Sequence, residues 1–89
     1  MTKKTKETFE LNEPSATVVE LVGGFTDWEE HPVQLRRQKS GLWRATVPLE
    51  PGLHEYRFRV DGQWRNDIAE VPRCPNPYGG ENCLRNVSA

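Results

Sequence analysis

Tryptophans stand at positions 28, 43 and 64 of this 89-residue chain, and two of them sit where a core residue would not. Trp28 follows Gly24-Phe25-Thr26-Asp27 and precedes Glu29-Glu30, a stretch with no apolar phase. Trp64 ends Tyr56-Arg57-Phe58-Arg59-Val60-Asp61-Gly62-Gln63-Trp64, just after a tight-turn dipeptide and flanked by Gln63 and Arg65. An indole left at a surface generally has something flat and partly apolar to lie against. The C–H face of a sugar ring has that character. For either residue alone the competing reading is a half-buried cap at the end of a fold, since tryptophans are rarely fully buried. Trp43 differs: it lies in phase with Ala45, Val47 and Leu49 and reads as core.

Polar groups stand near both indoles. Arg57 and Arg59 share the strand face opposite Tyr56 and Phe58. A guanidinium beside an indole offers fixed donors to hydroxyl oxygens, which singles out Arg57 if Trp64 folds back beside it. Arg59 reads as surface charge, and Glu55 as a weak surface partner for one of the arginines. The block Asn76-Pro77-Tyr78-Gly79-Gly80-Glu81-Asn82 combines a stiffening proline with glycines that let the backbone approach closely. Asn82 carries donors and an acceptor, suited to vicinal hydroxyls. These signals come from separate strand ends and are expected to converge on one surface.

Catalysis is not expected. Asp27, Glu29, Glu30, Asp61, Asp67 and Glu70 lie in turns, with no evident apolar pocket to raise a pKa. Asp61-Gly62 reads as turn chemistry and Asp27 as an Asx turn. The chain has no nucleophile elbow, phosphate-binding glycine loop or His-Ser/Cys motif. Two cysteines and two distant histidines lack the ligand set for zinc, so neither metal nor cofactor is implied.

Length permits one domain and excludes a (β/α)₈ barrel of about 250 residues. With 12 basic and 13 acidic side chains the net charge is −1, so no bulk field draws nucleic acid or an anionic membrane, and a neutral partner fits better. No apolar run approaches the ~20 residues of a membrane span and no hydrophobic signal region begins the chain, which points to the cytoplasm. There Cys74 and Cys83 default to reduced thiols, although a disulfide could close their short loop for roughly 2–3 kcal/mol. Asn86-Val87-Ser88 matches a glycosylation acceptor, which carries almost no weight without a secretion signal.

The elements that must position these residues all read as strands. Residues 1–8 read as a flexible tail ahead of a single domain over 9–89. Short runs then alternate with turn signals at about ten-residue spacing, the pattern of a sandwich. They cover 9–11, 17–23, an edge strand at 32–38, then 42–49, 53–60, 63–66 and 82–87. In 53–60, His54, Tyr56, Phe58 and Val60 point one way and Glu55, Arg57 and Arg59 the other. Asp61-Gly62 predicts a type I′ hairpin, and residues 67–81 a long loop. No segment has a 3.6-residue apolar period, so the chain reads as all-β.

Four blocks, in order and covering nearly the whole chain, resemble carbohydrate-binding module family 48. They are Leu21-Val22-Gly23-Gly24-Phe25-Thr26-Asp27-Trp28, Gly41-Leu42-Trp43, Pro51-Gly52 with Tyr56 to Trp64, and Asn76 to Asn82. The family includes the glycogen-binding domain of the AMP-activated protein kinase β subunit and the N-terminal domains of isoamylase and branching enzymes. The resemblance implies an immunoglobulin-like (early-set) β-sandwich of about seven short antiparallel strands that binds α-1,4-glucan without cutting it. It implies stacking on glucose rings at Trp28 and Trp64, with polar contacts from Arg57 and Asn82 and a projecting side chain at Tyr78. A family lysine becomes Arg57, a threonine becomes Gly80, and the usual asparagine of the Phe-Asn-x-Trp block becomes Thr26. The partner implied is an α-glucan, with a glucan-metabolising enzyme on another chain as a further candidate. The alternative is a protein-interaction sandwich serving as a structural or regulatory partner of a glucan-metabolising enzyme or kinase; the resemblance implies it too, since many members appended to glucan enzymes are structural neighbours of the catalytic barrel and several lack the stacking tryptophans.

Overall fold

The computed structural model describes residues 4–66 and 71–88. Residues 1–3 of the expected tail, and residues 67–70 of the expected loop with Asp67 and Glu70, lie outside the described residues. The architecture is all-β, with antiparallel strands in two sheets. One sheet has the order β1-β5-β4, from β1 (Thr5–Asn12), β5 (Leu42–Leu49) and β4 (Arg36–Arg37). The other runs β3-β2-β6-β9-β8, from β3 (Val33–Gln34), β2 (Val19–Gly23), β6 (Gly52–Val60), β9 (Glu81–Val87) and β8 (Arg73–Pro75). Strand β7 (Gln63–Arg65) adds to β6 as a hairpin.

Alternation decides what each face buries. In β6, Tyr56, Phe58 and Val60 are buried while Arg57 and Arg59 stay half-exposed on the other face. In β5, Trp43 and Leu49 are buried and Ala45 and Val47 pack against the core, as their phase predicts. The core joins these to Phe9, Leu11, Val19, Leu21, Leu35, Cys83 and Val87. Each large apolar side chain withdrawn from water contributes about 1.5–3 kcal/mol. Phe9 meets Tyr56 edge-on at 5.0 Å between ring centroids, and Tyr56 meets Phe58 at 5.8 Å. The Trp43 indole donates to the Glu13 carbonyl at 2.8 Å, so its polar end is satisfied at the core margin.

Three expectations are corrected. The strand that was to begin at Phe9 begins at Thr5, because Thr5 to Asn12 pairs residue for residue with Leu49 to Leu42. The Lys/Thr-rich composition hid it: its order comes from the partner ladder and not from its own apolar pattern. The single edge strand at 32–38 is two strands in different sheets. Buried Leu35 sits between them and donates its N–H to the Val19 carbonyl at 2.9 Å as the chain crosses from one sheet to the other. Within the expected loop, Arg73–Pro75 forms β8 against β9, which brings the described strands to nine in place of about seven.

The two sheets are also tied laterally. Arg85 of β9 donates to the Glu7 carboxylate at 3.1 Å and to the Thr8 carbonyl at 3.2 Å, with its guanidinium 4.2 Å from the Phe9 ring centroid. Cys74 and Cys83 sit one step out of register on neighbouring strands, with Cys74 facing Asn82 and Cys83 facing Arg73. The pleat therefore sends the thiols to opposite faces, and they are not bridged.

Candidate functional site

Each indole is delivered by a different device. At the end of β2 the backbone of Gly23 passes so close to β6 that a Cβ there would stand 2.4 Å from the Glu55 carbonyl oxygen. Two 3₁₀ turns follow, Gly24–Thr26 and Trp28–Glu30. Thr26 is only 4% exposed, and its hydroxyl accepts from the Gly23 N–H at 3.0 Å and donates to the Trp28 carbonyl at 2.7 Å, with the Gly23 carbonyl at 3.0 Å as second acceptor. Where the turns meet, Asp27 and Trp28 take φ of 53° and 54°, a left-handed pair in which a bulky side chain is strained. That reversal turns the half-buried Trp28 ring outward. Asp27 makes no side-chain cap bond, so it acts through its left-handed backbone and not through the expected Asx turn.

Trp64 depends on the hairpin. Asp61 (φ 49°) and Gly62 (φ 83°) form the two-residue turn, which places Trp64 opposite Arg59. The ring is 40% exposed, with the Arg57 and Arg59 guanidinium carbons 5.4 and 5.7 Å from its centroid. Cation–π contacts of this kind contribute about 0.5–1 kcal/mol each at exposed sites. The Asp61 carboxylate accepts the N–H groups of Thr17 and Val18 at 2.9 and 2.8 Å, which locks the turn to the segment leading into β2.

The arginines divide their work differently from expectation. Arg59 pairs with Glu20 at 3.0 Å and lies 3.9 Å from Glu29, so it is a tied structural cation. Arg57 bonds Asn66 Oδ1 through Nε at 3.0 Å and has no carboxylate partner among the described residues. Glu55 pairs with neither arginine. One of its oxygens accepts from Asn82 Nδ2 and from the Cys74 thiol, both at 3.1 Å. The Asn82 bond, followed by the thiol bond, holds the Glu55 carboxyl below the ordinary carboxylate range; the same contact raises the Cys74 thiol.

Asn82 lies 5% exposed in β9, its Oδ1 accepting from Asn76 Nδ2 at 3.2 Å. Among the described residues these contacts take one Nδ2 hydrogen and one oxygen lone pair of Asn82. Tyr78 is 93% exposed at the tip of the loop between β8 and β9. Trp28, Trp64, Arg57, Tyr78 and Asn82, all chosen from sequence, line one groove of about 860 Å³. Glu55 and Asn76 line it too and were not chosen, although Asn-Pro is a recognised turn initiator. Among the described residues, no group of three His, Cys, Asp or Glu side chains is placed to hold a metal.

The sequence profile of a family described as the glycogen recognition site of AMP-activated protein kinase matches residues 6–89. The chain belongs to that family. It is a carbohydrate-binding module, and the resemblance read from the four blocks stands. Relatives include the 1,4-alpha-glucan branching enzyme GlgB of Deinococcus radiodurans, 37% identical over 68 residues that cover 74% of this chain and 9% of that protein. FLOURY ENDOSPERM 6, chloroplastic, of Oryza sativa subsp. japonica is 38% identical over 73 residues, 82% of this chain and 13% of the relative. Protein PTST homolog 2, chloroplastic, of Arabidopsis thaliana is 36% identical over 53 residues, 60% and 10%. The chain thus matches about a tenth of the length of these relatives. No helix among the described residues is long and apolar enough to cross a membrane.

Proposed function

We propose that this module binds α-1,4-glucan in the groove, without cleaving it, by stacking glucose rings on Trp28 and Trp64. The observation that carries the reading is the convergence of both indoles, Arg57, Asn82 and Tyr78 on one groove. α-Glucan is a loose helix whose rings expose apolar C–H patches, and indoles carried by separate turns can follow its curve. Arg57 supplies donors to hydroxyl oxygens, Asn82 a bond from the floor, and Tyr78 a projecting ring at the rim.

Stacking of a flat ring on an aromatic side chain is worth about 1–3 kcal/mol in nucleic-acid complexes. Two such contacts with a few hydrogen bonds, less the cost of association, give a Kd in the high micromolar to millimolar range, about −4 to −6 kcal/mol. A polymer with many sites makes weak contacts effective, and a glucan-metabolising enzyme held nearby would gain local substrate concentration. A branching enzyme among the relatives supports such an enzyme partner.

The test is a tryptophan-fluorescence titration with β-cyclodextrin and maltoheptaose, with cellohexaose as control, on the wild type, Trp28→Ala and Trp64→Ala. Saturable quenching by the α-glucans alone, lost in both folded variants, is the expected result. A folded wild type that stays silent at several millimolar ligand (the weak end of the range above) would remove the sugar reading and favour a protein-interaction role.

A further inference from the structure

Tyr78 presents a physical puzzle. At 93% exposure, almost no packing holds its ring, and the flanking Gly79, with φ +87°, gives its loop wide conformational freedom. The ring's position must therefore be set through the backbone. Asn76 performs that task from both ends. Its N–H donates to the Gly80 carbonyl at 2.9 Å, closing the turn, while its Oδ1 accepts the N–H groups of Tyr78 at 2.9 Å and Gly80 at 3.0 Å. Its Nδ2 meanwhile donates to Asn82 Oδ1, and Asn82 Nδ2 donates to Glu55 Oε1. The chain of bonds runs unbroken from β6 through β9 into the loop tip. Its last member, the Glu55 carboxylate, is steadied from β8 by the Cys74 thiol.

Space is matched to this arrangement. A Cβ at Gly80 would stand 3.3 Å from Asn76 Nδ2 and 3.7 Å from Arg57 Nη1, so a side chain there would press on the bond that hooks the loop to the sheet. We infer that Asn76, with Asn82 and Glu55 behind it, is a positioning unit that fixes the Tyr78 loop in its projecting form before ligand arrives. The ligand side of this inference rests on the glucan reading above; the ordering of the loop does not. Without the unit the loop samples many shapes and only a fraction is competent, which divides the apparent affinity by that fraction.

The experiment uses the ¹⁵N-labelled chain and reads two quantities, amide exchange at Tyr78 and Gly80, and affinity for maltoheptaose. In Asn76→Ala both amides are expected to exchange about tenfold or more faster while β5 amides are unchanged, since each loses its acceptor. Affinity falls about fivefold, and that loss disappears when Tyr78→Ala is already present, because the two act as one unit. Glu55→Ala shows the same coupling to Tyr78, with a smaller effect. Asn76→Asp keeps an oxygen acceptor and is expected to retain protection of both amides, which keeps the test intact should the alanine variant not fold. Unprotected Tyr78 and Gly80 amides in the wild type overturn the inference. So does an affinity loss from Asn76→Ala that is equal with and without Tyr78. Protected amides beside a complete lack of response to maltoheptaose would overturn the glucan reading and leave the positioning unit standing.

Discussion

Thr26→Val removes one oxygen, keeps the shape of the side chain and strikes the support of Trp28. Thr26 is 4% exposed, and its hydroxyl accepts the buried Gly23 N–H and donates to the Trp28 carbonyl. Valine can do neither. Losing one ordinary bond costs about 1 kcal/mol, and leaving a buried N–H without an acceptor costs about 1–3 kcal/mol more, for a total of about 2–4 kcal/mol. A second effect adds to it. Asp27 and Trp28 both sit in the left-handed region, at roughly 1–2 kcal/mol per residue, and persist there only because their surroundings over-determine them. With the hydroxyl gone the turn relaxes and the indole leaves the groove wall. For a chain of this size each kcal/mol moves Tm by about 4–8 °C, so calorimetry should register a fall of about 10 °C or more. Maltoheptaose affinity should drop nearly as far as in Trp28→Ala, and Thr26→Ser, which keeps the oxygen, should recover most of both. A Thr26→Val variant that melts within about 2 °C of the wild type and binds as well would refute the assigned role of the hydroxyl.

Gly23→Ala should be among the most damaging single changes, with Tm lowered by more than about 10 °C, since its Cβ would meet a backbone oxygen that cannot swing aside; a calorimetric shift within error would show that β2 can move away from β6 more freely than argued. Glu55 gives a pH dependence with a definite sign. Its folded-state pKa lies below the unfolded value of 4.5, so its contribution is complete above that value and lost as pH falls through the lowered one. Between about pH 5 and pH 3, Tm of the wild type should therefore decline more steeply than that of Glu55→Gln, and parallel profiles would dismiss the Asn82–Glu55 bond as a contributor.

Legibility followed the physics of each segment. β5 and β6 were readable because alternate residues meet core and solvent, which writes a period of two into the chain. The hairpin was readable because Asp61-Gly62 meets a backbone demand that few dipeptides satisfy. β1 from Thr5 was not, since its order comes from a partner some forty residues away. The crossing at Leu35 was hidden for a related reason: strands of two residues carry no period, and only the burial of one leucine marks the change of sheet. Around the groove, Trp28, Trp64 and Arg57 stood out by residue type. Asn76 and Glu55 did not, because their value lies in bonds to Asn82 and to loop amides that a linear reading cannot draw. Arg59 was likewise read as loose charge, and only the sheet pairing shows Glu20 opposite it.

Strand β6 pairs with β9 from Gly52 to Tyr56, with β2 from Tyr56 to Val60 and with β7 from Phe58 to Val60. The Trp28 turn leaves from β2, Trp64 rides on β7, and the Tyr78 loop enters β9. Every wall of the groove is therefore a direct neighbour of one nine-residue strand. In mechanical terms, a tug on whatever occupies the groove is split three ways and then met by hydrogen-bond ladders on both edges of β6. A module tethered to something far larger than itself can hold on weakly at each contact and still resist deformation as a whole.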